Sequence, residues 1–312
     1  MKRLASSFLW TTLGVSVVVG AVAGASVLLT GCSAIQSAAG AMASATAGTP
    51  AGSVFKGIEL SAESFKGFSP SQEHYIGRSV AVEILSKYTV DPDKAIQEYV
   101  NLVGQAVLIA PEAGKTFAGY HFVVVEGDEL QAVSTPGGFV FLTRGTVRRA
   151  KDEDELASVL AHEIAHVTLK HGMKSIKAAT RKAAAAQLVK GVGEVGVAAA
   201  GSDSKDLVEL TSAFGNTISD ITGDLLVKGY SRETEVEADK LAITLLKSSG
   251  YARASLASYL KRVGEEHAGG EGGWSSTHPK PADRIAQLGD IGTGAALGRD
   301  VRKGRFSKLI GG

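Results

Sequence analysis

The order of apolar and polar residues predicts two helices at the start of the folded part of the chain. Ser69, Pro70 and Gln72 form a helix-start signal, because a capping serine is followed by proline at the first helical position and glutamine at the third. This helix is predicted to run from Pro70 to about Tyr88. A second is predicted to begin at Asp91, and its apolar positions keep helical spacing until a proline interrupts them. Those positions are Ile96, Tyr99, Val100, Val103, Val107 and Leu108.

The hydrophobic period then changes from helical to extended. Residues 120–125 are rich in aromatic and β-branched side chains and are bounded by glycines, which predicts a strand. Residues 139–142 predict another strand. Between the two strands lie Gln131-Ala132-Val133 and the chain breaker Pro136-Gly137-Gly138.

A third amphipathic segment follows the charged residues 151–155. Asp152 with Glu155 resembles a capping box, so the charge run marks a helix start rather than a solvated loop. Apolar residues at helical spacing extend this helix to a stop at Gly172. They are Leu156, Val159, Leu160, Ile164 and Val167. Residues 173–205 predict a helix and then a loop, and helical spacing resumes over residues 207–225. The predicted fold class is therefore α+β, mostly helical, with a small β-sheet next to the helix that begins near residue 153.

Residues 1–31 are predicted to be a secretory signal. Lys2 and Arg3 give a positive start, residues 8–29 are apolar and small, and Leu29-Thr30-Gly31-Cys32 has the pattern of a lipobox. Cys32 is the predicted lipidation site. A transmembrane helix is the alternative, because the apolar run approaches spanning length, but the cysteine at its end favours cleavage.

The composition of the rest of the chain indicates its domain organisation and limits the classes of partner to expect. We predict a flexible tether over residues 32–55, one folded domain over 56–295 and a C-terminal tail over 296–312. Removing Lys2 and Arg3 with the signal leaves 31 basic against 32 acidic residues, which gives no electrostatic reason to expect nucleic acid as a partner. The single cysteine leaves no disulfide, so stability must come from a hydrophobic core.

The pentapeptide His162-Glu163-Ile164-Ala165-His166 carries the candidate chemistry. Histidines four residues apart project from one face of a helix, so both rings reach one metal ion, and the intervening glutamate can act on a water molecule there. A catalytic zinc usually has three protein ligands. The segment from Tyr230 to Asp239 offers several carboxylates, among which Glu235 and Asp239 lie one helical turn apart. Glu235 is a candidate third ligand, and Asp239 a candidate acceptor for a ring N–H of a ligating histidine.

The chain resembles the zinc metallopeptidase family that includes the HtpX heat-shock proteases, the Ste-type CAAX prenyl protease and the periplasmic BepA-like proteases, which are gluzincin-like. The resemblance covers roughly residues 69–288. It rests on residues 136–138, on the pentapeptide, on the segment 231–239, and on Thr277-His278-Pro279 followed by Arg284-Ile285. It implies that Glu235, rather than Glu233 or Glu237, is the third ligand. The family often has asparagine where Gln131 stands.

Three further residues are assigned less directly. The resemblance implies that His278 lies near the zinc, where it either donates to the developing oxyanion or blocks the open coordination position; an ordinary loop histidine is an equally good interpretation. His171 is predicted to be a cation at the helix end rather than a ligand. Arg284 is predicted to pair with a carboxylate.

The strand before the metal helix has two interpretations. As an exposed edge, Gly138, Phe139 and Val140 would hold an extended substrate peptide by main-chain hydrogen bonds; a core hairpin is equally compatible with the sequence.

Together these features predict an endopeptidase with one Zn²⁺ per chain, in which Glu163 takes a proton from a zinc-activated water and delivers it to the leaving amine. The resemblance and the signal imply an envelope lipoprotein that cleaves misfolded or unassembled envelope proteins. Because Ser33 rather than aspartate follows the cysteine, lipoprotein sorting patterns imply the outer membrane, facing the periplasm. The alternative is a lipid-anchored chaperone or assembly factor. A prenyl protease is disfavoured because no further apolar run of about 20 residues follows the signal.

Overall fold

The computed structural model describes residues 68–179, 223, 229–266, 281–289, 291–292 and 298–310. The predictions for the signal peptide, Cys32, the tether, residues 207–225 apart from Gly223, and His278 lie outside these ranges. In chain order the elements are α1 Pro70–Leu85, α2 Lys94–Val107, β1 His121–Val125, β2 Ala132–Ser134, a 3-10 turn Pro136–Gly138, β3 Phe139–Thr143, α3 Arg144–Arg149, α4 Glu153–Thr168, α5 Arg232–Ser249, α6 Ala254–Glu266, α7 Pro281–Gln287 and α8 Arg299–Leu309. Residues 171–179 are also helical. The predicted α+β class is confirmed.

Helix α1 begins with the predicted capping box. The Ser69 hydroxyl accepts from the Gln72 backbone N–H, and the Gln72 side chain accepts from the Ser69 N–H, so two N–H groups at the helix start are satisfied reciprocally. Helix α1 packs closely against the 3-10 turn at Gly77, where a Cβ would lie only 1.6 Å from the Pro136 carbonyl oxygen. A side chain at position 77 would therefore separate α1 from the turn.

The three strands form one mixed sheet in the order β1-β3-β2. Strand β1 pairs in parallel with β3, and β2 pairs antiparallel with it, from Ala132 opposite Leu142 to Ser134 opposite Val140. The prediction that Gly138, Phe139 and Val140 form an exposed edge is wrong, because β3 is the central strand and Gly138 belongs to the turn before it. The apolar residues of β3 explain this position, since Val140 to Thr143 are all buried.

Helix α4 lies at the centre of the described fold. It contacts α2, α5, α6, α8 and β2, and from Glu153 to His166 every residue is buried. Its apolar side chains Leu156, Leu160 and Ile164 belong to one hydrophobic cluster with side chains of α2 and α5. Because α4 is enclosed on all sides, its side chains have little freedom to move.

Several predicted boundaries differ from the structure. Helix α1 ends at Leu85 instead of about Tyr88, and α2 begins at Lys94 instead of Asp91. Helix α4 ends at Thr168, and Lys170, with φ 57°, turns the chain so that a new helix starts at residue 171 instead of stopping at Gly172. The predicted tail after residue 295 contains α8, whose Phe306 is buried in the main hydrophobic cluster. A single aromatic residue among charges gives too weak a periodic signal to predict this helix. None of the helices within the described ranges combines the length and apolar character needed to cross a membrane.

Candidate metal centre

Helix α4 presents two histidines from the same face. His162 and His166 are each about 1% exposed, and their Nε2 atoms are 3.0 Å apart. The spacing of four residues produces this arrangement, because residues i and i+4 lie one above the other on a helix. Both rings therefore direct a nitrogen to the same point.

Helix α5 brings a carboxylate to that point. Its Glu235 is fully buried, with Oε2 3.4 Å from His162 Nε2 and Oε1 3.4 Å from His166 Nε2. The donor atoms of these three residues all lie within 4.8 Å of one another. Two imidazole nitrogens and one carboxylate oxygen are a donor set that suits catalytic zinc, so the three side chains fit the metal that the sequence predicts.

The other carboxylates of α5 lie elsewhere. Glu233 is exposed on the first turn of the helix, and Glu237 is directed to His171. Asp239, one turn after Glu235, places Oδ1 2.9 Å from His162 Nδ1. It therefore meets the ring nitrogen of His162 that faces away from Glu235.

A buried arginine on α7 holds Asp239 in place. Arg284 Nε donates to Asp239 Oδ2 at 2.9 Å, Nη2 donates to Oδ1 at 2.6 Å, and Nη1 lies 3.6 Å from Glu235 Oε2. The predicted pairing of Arg284 with a carboxylate is thus observed, in the bidentate geometry that only a guanidinium provides.

These contacts determine the charges on the first histidine and its partner. Burial raises the pKa of Asp239, but Arg284 and His162 outweigh burial and hold it well below its ordinary value. Burial and Arg284 lower the pKa of His162, yet the hydrogen bonds to Asp239 and Glu235 raise it to about 9. Without a metal the first ligand position is thus a protonated imidazole between two carboxylates, and a metal ion must displace that proton.

The second histidine has different neighbours. The Nδ1 atom of His166 lies 2.9 Å from His171 Nδ1, and the ring of Tyr230 stacks on the His166 ring at a centroid distance of 4.3 Å. Burial lowers the pKa of His166 to about 4. His166 is therefore neutral at physiological pH, as a metal ligand must be.

The prediction that His171 is a cation at the helix end is wrong. Its side chain is fully buried, and burial lowers its pKa. The reason is the early end of α4, since the turn at Lys170 places His171 on the first turn of the next helix, directed back to His166.

Glu163 lies beside the two histidines on α4. It is 1% exposed, and its Oε1 atom makes no hydrogen bond to any described residue. Its charge acts on His166, Tyr230 and Arg284. A buried carboxylate oxygen next to a metal-binding set is well placed to accept a proton.

A cleft opens beside His166. It is lined by Ser134 and Thr135 at the end of β2, by the 3-10 turn, by Tyr230, and by the ion pair between Lys170 and Glu73, whose Nζ and Oε1 atoms are 2.7 Å apart. Sequence reasoning did not find Tyr230 or the contact of His171, because both depend on how separate helices pack. A tyrosine directly before the Ser231 helix cap was the available signal.

The arrangement agrees with comparisons to known proteins. A family model described as peptidase family M48 matches residues 94–291, which include all three candidate ligands. Beta-barrel assembly-enhancing protease of Escherichia coli (strain K12) is 26% identical over 227 residues, covering 70% of this chain and 43% of that protein. This chain therefore spans less than half the length of that relative.

Two other relatives are matched over more of their length. Metalloprotease LoiP of Escherichia coli (strain K12) is 27% identical over 238 residues, covering 75% of this chain and 86% of that protein. Mitochondrial metalloendopeptidase OMA1 of Schizosaccharomyces pombe is 28% identical over 231 residues, covering 72% of this chain and 62% of that protein. The names of all three relatives describe proteolytic enzymes.

Proposed function

The chain belongs to peptidase family M48, and from that premise we propose that it is a metalloendopeptidase with one zinc ion held by His162, His166 and Glu235. The observation that carries the proposal is the convergence of these three buried donor atoms within 4.8 Å. When bound, zinc supplies a Lewis acid that lowers the pKa of water to about 7.

The chain's own residues would handle the protons. Glu163 would take the proton of the attacking water on its carboxylate and then donate it to the nitrogen of the leaving amine. Asp239 would accept the Nδ1 hydrogen of His162, which keeps the Nε2 lone pair directed at the metal position. His278 would assist or block the reaction, as the family resemblance implies, unless it is an ordinary loop histidine.

An extended substrate is proposed to lie along β2 instead of β3. Thr143 N–H donates to the Gln131 carbonyl, and Thr135 N–H donates to the Phe139 carbonyl. Because antiparallel pairing alternates, the backbone groups of Ala132 and Ser134 point away from β3, where a peptide can add as another strand. The cleft beside His166 supports this choice, since Ser134 lines it.

The cellular role is also a proposal. The N-terminal signal and Cys32 support an envelope lipoprotein, held at the outer membrane facing the periplasm. The relative named beta-barrel assembly-enhancing protease supports misfolded or unassembled envelope proteins as substrates. A lipid-anchored chaperone that binds the same proteins without cleaving them is the competing function.

The test is metal analysis beside casein cleavage for the full chain in detergent. Glu163→Gln is expected to keep one zinc per chain and to lose about 10²- to 10⁴-fold in activity, because it removes only the proton carrier. Full activity in Glu163→Gln contradicts the proposal. A wild-type chain that binds zinc and suppresses aggregation of unfolded proteins, but cleaves none, supports the chaperone instead. His278→Ala distinguishes blocking from assistance: a faster variant supports a blocking histidine and a slower one an assisting histidine.

A further inference from the structure

The two proposed histidine ligands have different partners behind them. His162 Nδ1 meets the carboxylate of Asp239 at 2.9 Å, whereas His166 Nδ1 meets another imidazole, His171 Nδ1, also at 2.9 Å. The far nitrogen of His171, Nε2, lies 3.2 Å from Glu237 Oε2. A hydrogen-bonded series of three side chains, His166, His171 and Glu237, thus connects the second ligand to a carboxylate that is 55% exposed.

With both rings neutral, hydrogen bonding permits one arrangement of protons along this series in which His166 can ligate a metal ion. For Nε2 of His166 to offer a lone pair to a metal ion held together with His162 and Glu235, the hydrogen of the neutral His166 ring must be on Nδ1. That hydrogen is then donated to His171 Nδ1. The neutral ring of His171 carries its own hydrogen on Nε2 and donates it to Glu237. Each nitrogen has one role, and none is left without its donor or acceptor.

The surrounding residues prevent the rings from turning away. Tyr230 stacks on His166 with an angle of 17° between the ring planes and also touches His171, with ring centroids 5.9 Å apart. Next to His171, Gly172 packs against the ring of Pro136, to which a Cβ would approach within 3.1 Å. The main chain next to His171 therefore packs closely against the 3-10 turn that begins at Pro136.

We infer that His171 is a positioning residue that fixes the tautomer and orientation of His166, and that Glu237 in turn fixes His171. His171 does for one ligand what Asp239 does for the other. The inference rests on the proposed zinc ligation by His166 and adds a role for two residues outside the metal-binding set. Partners of this kind typically change metal affinity by about 10- to 100-fold when they are removed.

The experiment measures zinc affinity of the full chain in detergent by competition with a chromophoric chelator. His171→Leu keeps the bulk of the ring but accepts no hydrogen bond, so it is expected to weaken zinc binding by about 10- to 100-fold. His171→Asn is expected to bind more tightly than His171→Leu, because the asparagine oxygen can accept from His166 Nδ1. Glu237→Ala is expected to have a smaller effect, since it acts one residue further away.

A matched control comes from the same helix. Glu233→Ala removes an exposed carboxylate of α5 that contacts no histidine in the part of the chain that the structure describes, and it is expected to bind zinc like wild type. The absorption spectrum of the cobalt-substituted protein provides a second readout, because it responds to the geometry of the ligands. We expect it to change in His171→Leu and to stay unchanged in Glu233→Ala.

The outcomes separate this inference from the proposed function. A wild-type chain that binds no zinc contradicts both. A wild-type chain that binds zinc and cleaves casein, with His171→Leu equal to it in affinity and cobalt spectrum, overturns the inference alone. If His171→Leu does not fold, Glu237→Ala decides, because its carboxylate is on the surface. Affinity and spectrum identical to those of Glu233→Ala would then overturn the inference.

Discussion

Helix α4 buries charged and titratable side chains at both ends, but the two ends are completed in different ways. At its start Asp152, Glu153, Asp154 and Glu155 are all less than 3% exposed. Near its end the proposed metal centre buries His162, Glu163 and His166 to the same degree. Both ends therefore carry the cost of removing charge from water.

At the start of α4 the protein supplies every partner itself. Glu153 accepts from Arg305 at 2.6 and 2.8 Å and from the hydroxyls of Tyr99 and Tyr251. Arg302 and Arg299 pair with Asp154 and Asp152, while Arg262 and Ser258 bond to Glu155. Asp152 also caps the helix through the Glu155 N–H, although Glu155 bonds back to Lys151 rather than to Asp152. The predicted capping box is thus only half present.

At the metal centre the buried groups face one another. The Nε2 atoms of His162 and His166 lie 3.0 Å apart, and each lies 3.4 Å from an oxygen of Glu235. The buried Arg284 is shared between Asp239 and Glu235. Groups that are all acceptors when deprotonated repel one another at such distances unless a cation binds them. From this comparison we interpret the carboxylates paired with arginine at the start of α4 as structural, and the acceptors directed at one another near its end as the proposed metal site.

The largest difference between the two ends is expected from removing one charged group at each. His162→Ala should lose zinc and reduce peptidase activity to background, because a ligand is missing. Arg305→Met at the opposite end should retain one zinc per chain, because it alters no ligand. Metal analysis and casein cleavage of both variants measure this contrast. Loss of zinc in Arg305→Met would show that the two ends are not independent.

A large effect on stability is expected from Arg284. Arg284→Met leaves Asp239 buried without its bidentate partner, which should lower the free energy of unfolding by about 3–5 kcal/mol. Urea unfolding in the presence of a chelator measures this for the metal-free chain. Arg284→Lys is the control, since it keeps the charge but loses the fork geometry. Its free energy of unfolding should lie between those of wild type and Arg284→Met. A loss below about 1 kcal/mol would indicate that His162 alone compensates Asp239.

A smaller effect is expected from Arg305. Its side chain is 43% exposed, and Glu153 keeps two tyrosine hydroxyls when the arginine is removed. Arg305→Met should therefore lower the free energy of unfolding by about 1–2 kcal/mol. Lys303→Met, an exposed neighbour on α8, is the matched control and should change it by less than about 0.5 kcal/mol. Equal losses in the two variants would contradict a specific role for the pair with Glu153.

The two ends also differ in how far sequence could predict them. Helix α4 and the pair His162 and His166 follow from local spacing, and Glu235 followed from a resemblance in a short segment. The arginines that pair with Asp152, Asp154 and Glu153 are 147 to 152 residues away on α8. No local pattern connects residues so distant, so the charge run showed a helix start but not its burial. The same limit applies to His171, whose role depends on a single turn at Lys170.

The smallest predicted effect concerns the pH dependence of stability. It tests how completely hydrogen bonds and ion pairs offset the burial of the carboxylates at the start of α4. Burial raises the pKa of Glu155, and its bonds to Lys151, Ser258 and Arg262 lower it only in part. A glutamate whose pKa is raised by folding binds protons more readily in the folded state. Its contribution to stability therefore falls as the pH rises from its ordinary pKa through its folded pKa.

Glu155→Gln removes this titration and keeps the shape of the side chain. Urea unfolding of wild type and variant across the acidic range should show the difference in free energy, wild type minus variant, decreasing as the pH rises. If losing the bond to Arg262 changes the free energy of unfolding by the same amount at every pH, it shifts that difference by a constant and leaves its dependence on pH unchanged. An increasing difference would mean that Arg262 stabilises the carboxylate more than burial destabilises it. The start of α4 would then be over-compensated, and its contrast with the metal centre would be sharper than the contacts alone indicate.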